Sequence, residues 1–169
     1  MQIVYLACPY THPDPAVRET RFRAATQAAA TLARAGVHVF SPITHAHPIL
    51  LTGDLPHGWK YWAEYDRAVL STCRALVVLQ LEGWDLSEGV RGETSIAEEL
   101  GLPCYFAPPE KITDVVPSLA SSPDQPATET PEEAASRLRF AARIARMLDE
   151  DDMSSAAQWV RDRAAEKQP

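Results

Sequence analysis

The chain has 169 residues, 46% of them hydrophobic, and a formal net charge of -7. That length supports one domain with a sizeable core and a small additional element. The acidic balance excludes a nucleic-acid surface, which needs a basic footprint, and no apolar run reaches the roughly 18 residues of a membrane-spanning helix.

In chain order, the apolar run 3–7 shows no polar alternation, as expected of a strand buried on both faces. Asp14 then suits an N-cap with Pro15 in the first helical position, and Gly36 stops a helix running to Ala35. A second strand is predicted over 37–40, followed by a proline- and histidine-rich loop over 41–58. The next helix fits 59–73, with Trp62, Tyr65, Val69 and Cys73 on one face. A third strand over 75–81, a helix over 90–100 and a fourth strand over 103–106 complete the alternation. Strands alternating with helices of this length predict right-handed crossovers and a mostly parallel α/β sheet of four to five strands flanked by helices.

Past Phe106 the composition changes, and six of the fourteen prolines fall between Pro108 and Pro131. The expected organisation is an α/β domain over 1–107, a proline-rich connector over 108–130 and a helical extension over 131–169. In that extension Leu138, Ala141, Ala142, Ala145 and Leu148 make an apolar stripe. No charged n-region precedes Ile3, and Cys8, Cys73 and Cys104 lack metal-type spacing. The expectation is a cytoplasmic protein with reduced thiols and neither membrane nor nucleic-acid partner.

The densest chemistry lies in the loop 83–93, between the third strand and the following helix. Open α/β sheets place ligands at the carboxyl ends of their strands. Glu93 is expected in the first helical turn, where the macrodipole favours an ionised carboxylate, a candidate nucleophile. An acid there can equally serve only to complement the dipole. Gly89 and Gly92 let a ligand approach the backbone, and Ser87 offers either a plain N-cap or a hydroxyl beside phosphate-binding amides.

Other candidates come from the flanking elements. Tyr5 is expected to pack its ring in the core and reach the crevice with its hydroxyl. Cys8 has no partner base in sequence and reads as an inert, semi-buried thiol. His45 and His47, two apart and without further ligands, fit substrate lining or a structural role better than a metal. Asp66 is either an exposed, paired helix carboxylate or a catalytic acid.

Three blocks in these residues resemble the nucleoside 2-deoxyribosyltransferase superfamily, which includes the deoxynucleoside 5'-monophosphate N-glycosidases. They are Tyr5-Leu6-Ala7-Cys8-Pro9, Tyr65-Asp66 with Leu70 and Cys73, and Ser87-x-Gly89-Val90-x-x-Glu93 with Ala97 and Gly101. The resemblance covers residues 1–107 and implies a Rossmann-like (flavodoxin-like) sheet. It implies Glu93 as nucleophile, forming a glycosyl-enzyme intermediate, Asp66 as the acid serving the departing base, and Tyr5 as the group positioning the nucleophile. Two close carboxyl groups dividing these roles is the logic of retaining glycosidases.

Ser87 bears on the substrate. In the resemblance a serine here contacts a 5'-phosphate, whereas an aspartate marks nucleoside transferases. The serine and arginine that nucleotide hydrolases carry after the first strand are replaced by Pro9 and Thr11. The basic candidates are then Arg91, Arg18 and Arg21, while Trp59, Trp62 and His45 are candidates for the base pocket and Trp84 either stacks on a base or packs against the loop. The expected activity is cleavage of the N-glycosidic bond of a nucleoside 5'-monophosphate or nucleoside, hydrolysis preferred, with no cofactor or metal. The alternatives are a 2-deoxyribosyltransferase and a non-catalytic nucleotide sensor or interaction protein. The resemblance also implies a homo-oligomer.

Overall fold

Ile3–Ala7 forms β1, buried from Val4 onward, and its side chains alternate between the two faces of a sheet. Val4 and Leu6 join Ala75, Val77 and Leu79 of β3 (Cys73–Leu79) beneath Ala25, Ala28 and Leu32 of α1 (Pro15–Arg34). Tyr5 and Ala7 point the other way, joining Leu76 and Val78. They meet Leu70 of α3 (Trp59–Leu70) and Val90, Ile96 and Ala97 of α4 (Glu88–Glu99). This is the computed structural model of the chain, describing residues 3–53, 55, 56 and 58–120.

With β2 (Val39–Phe40) and β4 (Cys104–Ala107), the strands form one four-stranded sheet in the order β2-β1-β3-β4. Every pairing is parallel. The expected α/β architecture of Rossmann-like type is therefore present, at the smaller of the strand numbers anticipated. The chain steps outward from β1 to β2 and returns across β1 to β3, so the direction of winding reverses between β1 and β3. A crevice opens at the carboxyl ends of strands at such a switch point.

Three expectations need correcting. The stretch 41–58 is not a loop throughout, because Pro42–Leu50 is helical (α2), with Pro42 in its first turn and Ser41 preceding it. Pro48 lies inside this helix and has no N–H to donate to the preceding turn, so the local sequence looks unlike a helix. The predicted helix over 59–73 ends at Leu70, and Cys73 opens β3 rather than extending a helical face. The residues α3 buries are Asp66 and Leu70, while Tyr65 is exposed. The first part of the expected connector is ordered, with a 3-10 segment at Pro109–Val115 leading into α5 (Val116–Ala120).

Ile112, Val115 and Leu119 complete the core cluster beneath α1. Proline at the start of a helical segment is compatible with helix, since its missing N–H would have no partner there. The described residues belong to a compact unit, Met1–Ala127. The rest of the expected connector and the extension over 131–169 fall outside the described residues. No helix among the described residues is long and apolar enough to cross a membrane.

Candidate active site

Three elements bring one polar group each to the same buried spot. Tyr5 comes from β1, Asp66 from α3 and Glu93 from α4. The Tyr5 hydroxyl donates to Glu93 Oε1 at 2.8 Å. Tyr5 is fully buried, and Asp66 and Glu93 retain only 5% and 4% of their exposure. Asp66 Oδ1 is buried with no hydrogen-bond partner, as are Ser41 Oγ and Arg74 Nε, but of the three only the Asp66 atom belongs to a carboxyl beside a second one.

Burial pushes the Asp66 carboxyl up to about 6, opposed by the neighbouring Tyr5 hydroxyl. Burial also pushes Glu93 well above the usual carboxylate range, the charge on Asp66 adds to this, and the Tyr5 hydrogen bond opposes it. Tyr5 rises in turn, through burial first and then the two carboxylates. Two carboxyls desolvated together favour retaining a proton between them, as like charges in one site cannot both ionise cheaply.

One sequence expectation is overturned here. The acid in the first turn of α4 is Glu88, capped by Ser87, and Glu93 lies in the second turn. The dipole effect fades beyond the first turn, so Glu93 is governed by desolvation and the charge on Asp66, both of which favour its protonated form. Gly92 also has a different role from the one expected. A Cβ there would stand 2.1 Å from the Trp59 ring, so the missing side chain admits Trp59 against α4 rather than a ligand. This contact draws α3 and α4 together and with them Asp66 and Glu93.

Asp66 and Glu93 line a cavity of about 460 Å³ at the β1–β3 switch point, a size suited to a small-molecule ligand. Trp59, Trp62 and Tyr65 of α3 and His45 of α2 form an aromatic wall. Within it, Trp62 Nε1 donates to the Pro56 carbonyl at 2.9 Å, and the Tyr65 hydroxyl lies 3.0 Å from His45 Nε2. Across from it stand Cys8, Pro9, Tyr10 and Thr11 after β1, and Ser87, Glu88 and Gly89 at the start of α4. The Cys8 thiol is pushed up strongly by burial, with Glu93 adding to the effect, so it lines the cavity as an unreactive group.

Ser87 combines both roles read from sequence, because its Oγ accepts from the Val90 amide at 3.3 Å while the residue lines the cavity. Of the basic candidates Arg21 reaches the cavity, spanning the crevice by donating to the carbonyls of Thr11 at 3.0 Å and Glu82 at 3.1 Å. Arg91 and Arg18 are not among the lining residues. Of the two roles open to Trp84, base stacking and packing, the structure shows packing: it lies against Phe106 at the edge of the core, with ring centroids 5.6 Å apart, and is not among the lining residues.

His47 stands behind the cavity, not in it. It is buried and stacked on Phe22 at 4.1 Å between centroids. Its Nδ1 lies 2.8 Å from the Tyr10 hydroxyl and its Nε2 lies 3.2 Å from Glu19 Oε2. No group of three or more His, Cys, Asp or Glu side chains among the described residues is placed to hold a metal. Tyr10 and Glu19 had no role in the sequence reading. Recognising Ser41-Pro42 as a helix start, like Asp14-Pro15, would have placed His47 on a helix and suggested a partner for it.

The chain belongs to a family described as a domain of unknown function (DUF1937), which matches residues 2–107. That span covers all four strands and the whole of α4, and it ends where β4 ends. No curated protein matches the chain.

Proposed function

We propose that this cavity cleaves the N-glycosidic bond of a nucleoside 5'-monophosphate or nucleoside, with Glu93 as nucleophile. The observation that carries this is the buried trio, in which Tyr5 donates to Glu93 at 2.8 Å while Asp66 Oδ1 faces inward without a partner. A pair of carboxyls sharing one proton supplies both a nucleophile and an acid. In the singly protonated pair the reactive microstate is the one with Glu93 ionised and the proton on Asp66, and the Tyr5 hydrogen bond offsets part of the burial cost of that charge.

In that state Glu93 attacks the anomeric carbon as the bond to the base nitrogen breaks, and Asp66 delivers its proton to the departing base. Asp66, now ionised, takes a proton from water, which attacks the anomeric carbon and releases Glu93. A second base in place of water would make the reaction a transfer. The aromatic wall of Trp59, Trp62, Tyr65 and His45 suits a planar base. Arg21 and the capped start of α4 suit an anionic 5'-group, and Glu88 beside them opposes it.

The test is incubation with a panel of nucleosides, deoxynucleosides and their monophosphates, with and without a free acceptor base, following base release by chromatography. Release from at least one substrate, lost in Glu93→Ala, is expected, with a sugar adduct on the Glu93 peptide by mass spectrometry. No release from any member, or undiminished release from Glu93→Ala, overturns the proposal.

A further inference from the structure

With the His47 ring neutral, the row of contacts Glu19–His47–Tyr10 sets the direction of the Tyr10–His47 hydrogen bond. A carboxylate repels a bare ring nitrogen, so the 3.2 Å approach of Glu19 Oε2 to His47 Nε2 favours the imidazole proton on Nε2. Arg23, 2.7 Å from the other Glu19 oxygen, keeps that carboxylate charged. In the neutral ring Nδ1 is then a bare acceptor. The Tyr10 hydroxyl, 2.8 Å away, must spend its only hydrogen on it.

The ring has little freedom to escape this arrangement. Phe22 stacks on one face at an interplanar angle of 12°, Tyr10 meets it edge-on, and the side chain is buried. Arg18 sits beside the Tyr10 hydroxyl and opposes the rise that burial gives its pKa. A neighbouring cation also calls for an oxygen that accepts. Tyr10 lines the cavity, and with its hydrogen held by His47 its oxygen has only lone-pair density to offer a ligand there.

We infer that Tyr10 is a specificity-determining residue of this cavity, an obligate hydrogen-bond acceptor that selects substrates presenting a hydroxyl or amino hydrogen to it, with His47 and Glu19 as the positioning residues that fix its polarity. This rests on the glycosidase reading for the kind of substrate, in which a sugar hydroxyl and an exocyclic base amine are the two sources of such a hydrogen. It is separate from the carboxyl pair, because none of Glu19, His47 or Tyr10 touches the bond being cleaved. A site built to accept a hydrogen bond disfavours the analogue lacking the donor, since its polar group is then left unpaired.

Two measurements decide it. Nitrogen-15 NMR of the histidines in the intact protein at neutral pH is expected to show His47 protonated at Nε2 and bare at Nδ1. Base release is then compared within matched pairs, a ribo- and 2'-deoxyribonucleotide and a cytosine and uracil nucleotide. The wild type is expected to favour the donor-bearing member of at least one pair by about 10-fold, a single hydrogen bond's worth. Tyr10→Phe should bring that ratio to near unity, and Glu19→Gln, which no longer dictates the tautomer, should reduce it. The pair that collapses identifies the donor as hydroxyl or amine. A proton on Nδ1, an absence of preference in every pair, or a ratio unchanged in Tyr10→Phe overturns the inference. If no nucleotide is cleaved the proposed function fails, and a proton found on Nδ1 would separately show the polarity to be wrong.

Discussion

Tyr5 lies within β1 and Tyr10 just beyond its end, and each hydroxyl makes a hydrogen bond of 2.8 Å, yet they serve opposite kinds of site. Tyr5 is fully buried and donates to a carboxyl pair at the cavity floor. Tyr10 is half-buried at the rim and donates to an imidazole held by a half-buried glutamate. The floor network is desolvated and governs proton affinity. The rim network remains partly hydrated and governs hydrogen-bond polarity. Depth thus decides what a tyrosine hydroxyl is worth, because a low local dielectric magnifies charge at the floor and much less at the rim.

The sharpest way to break this comparison is at the floor. Glu93→Ala should lower base release by on the order of 10³-fold or more, as loss of a nucleophile does, read in single-substrate time courses. Asp66→Asn should cost roughly 10²–10⁴-fold, the usual share of a positioned acid. The same pair sets the pH dependence. Activity should rise as the pH passes about 6, where the pair centred on Asp66 gives up its first proton. It should fall at the higher pH where Glu93, pushed further up, releases the second. A flat profile between pH 5 and pH 8 would remove the shared proton from the mechanism.

Smaller effects test how the floor is held. Gly92→Ala sets a methyl inside the Trp59 ring and should destabilise the fold by roughly 1–3 kcal/mol, as overpacking does, measured by denaturant unfolding. Glu93→Gln should be more thermally stable than the wild type at pH 8. A carboxyl whose folded pKa is raised favours folding while protonated and loses that contribution as pH rises through the folded value. The gain should therefore shrink as the pH falls towards 5, and a gain that grew with acidity would contradict the burial of Glu93. The smallest expected change is at Trp84, where a Phe substitution should trim core packing and leave base release nearly intact.

Sequence patterning carried the floor further than the rim. Strand alternation puts Tyr5 on the α3–α4 side of the sheet, and the spacing of Ser87 and Glu93 survives in α4 even though Glu93 lies a turn deeper than expected. The depth itself was not visible, since it arises from Trp59 settling on Gly92, a contact between residues far apart in the chain. The rim was obscured for a local reason. Pro48 within α2 disguises a helix as a loop, and without that helix His47 has no fixed direction. Glu19 and His47 then look like unrelated surface residues, although tertiary packing sets them 3.2 Å apart.

Trp59 has one edge in the cavity wall and its ring over the backbone at Gly92. A ligand in the cavity and a change in the spacing of α3 and α4 would each alter the surroundings of its indole. Its fluorescence is a built-in optical gauge of this molecule: a base entering the cavity and a loosening of the two helices should each alter its emission, and neither event requires turnover to be seen.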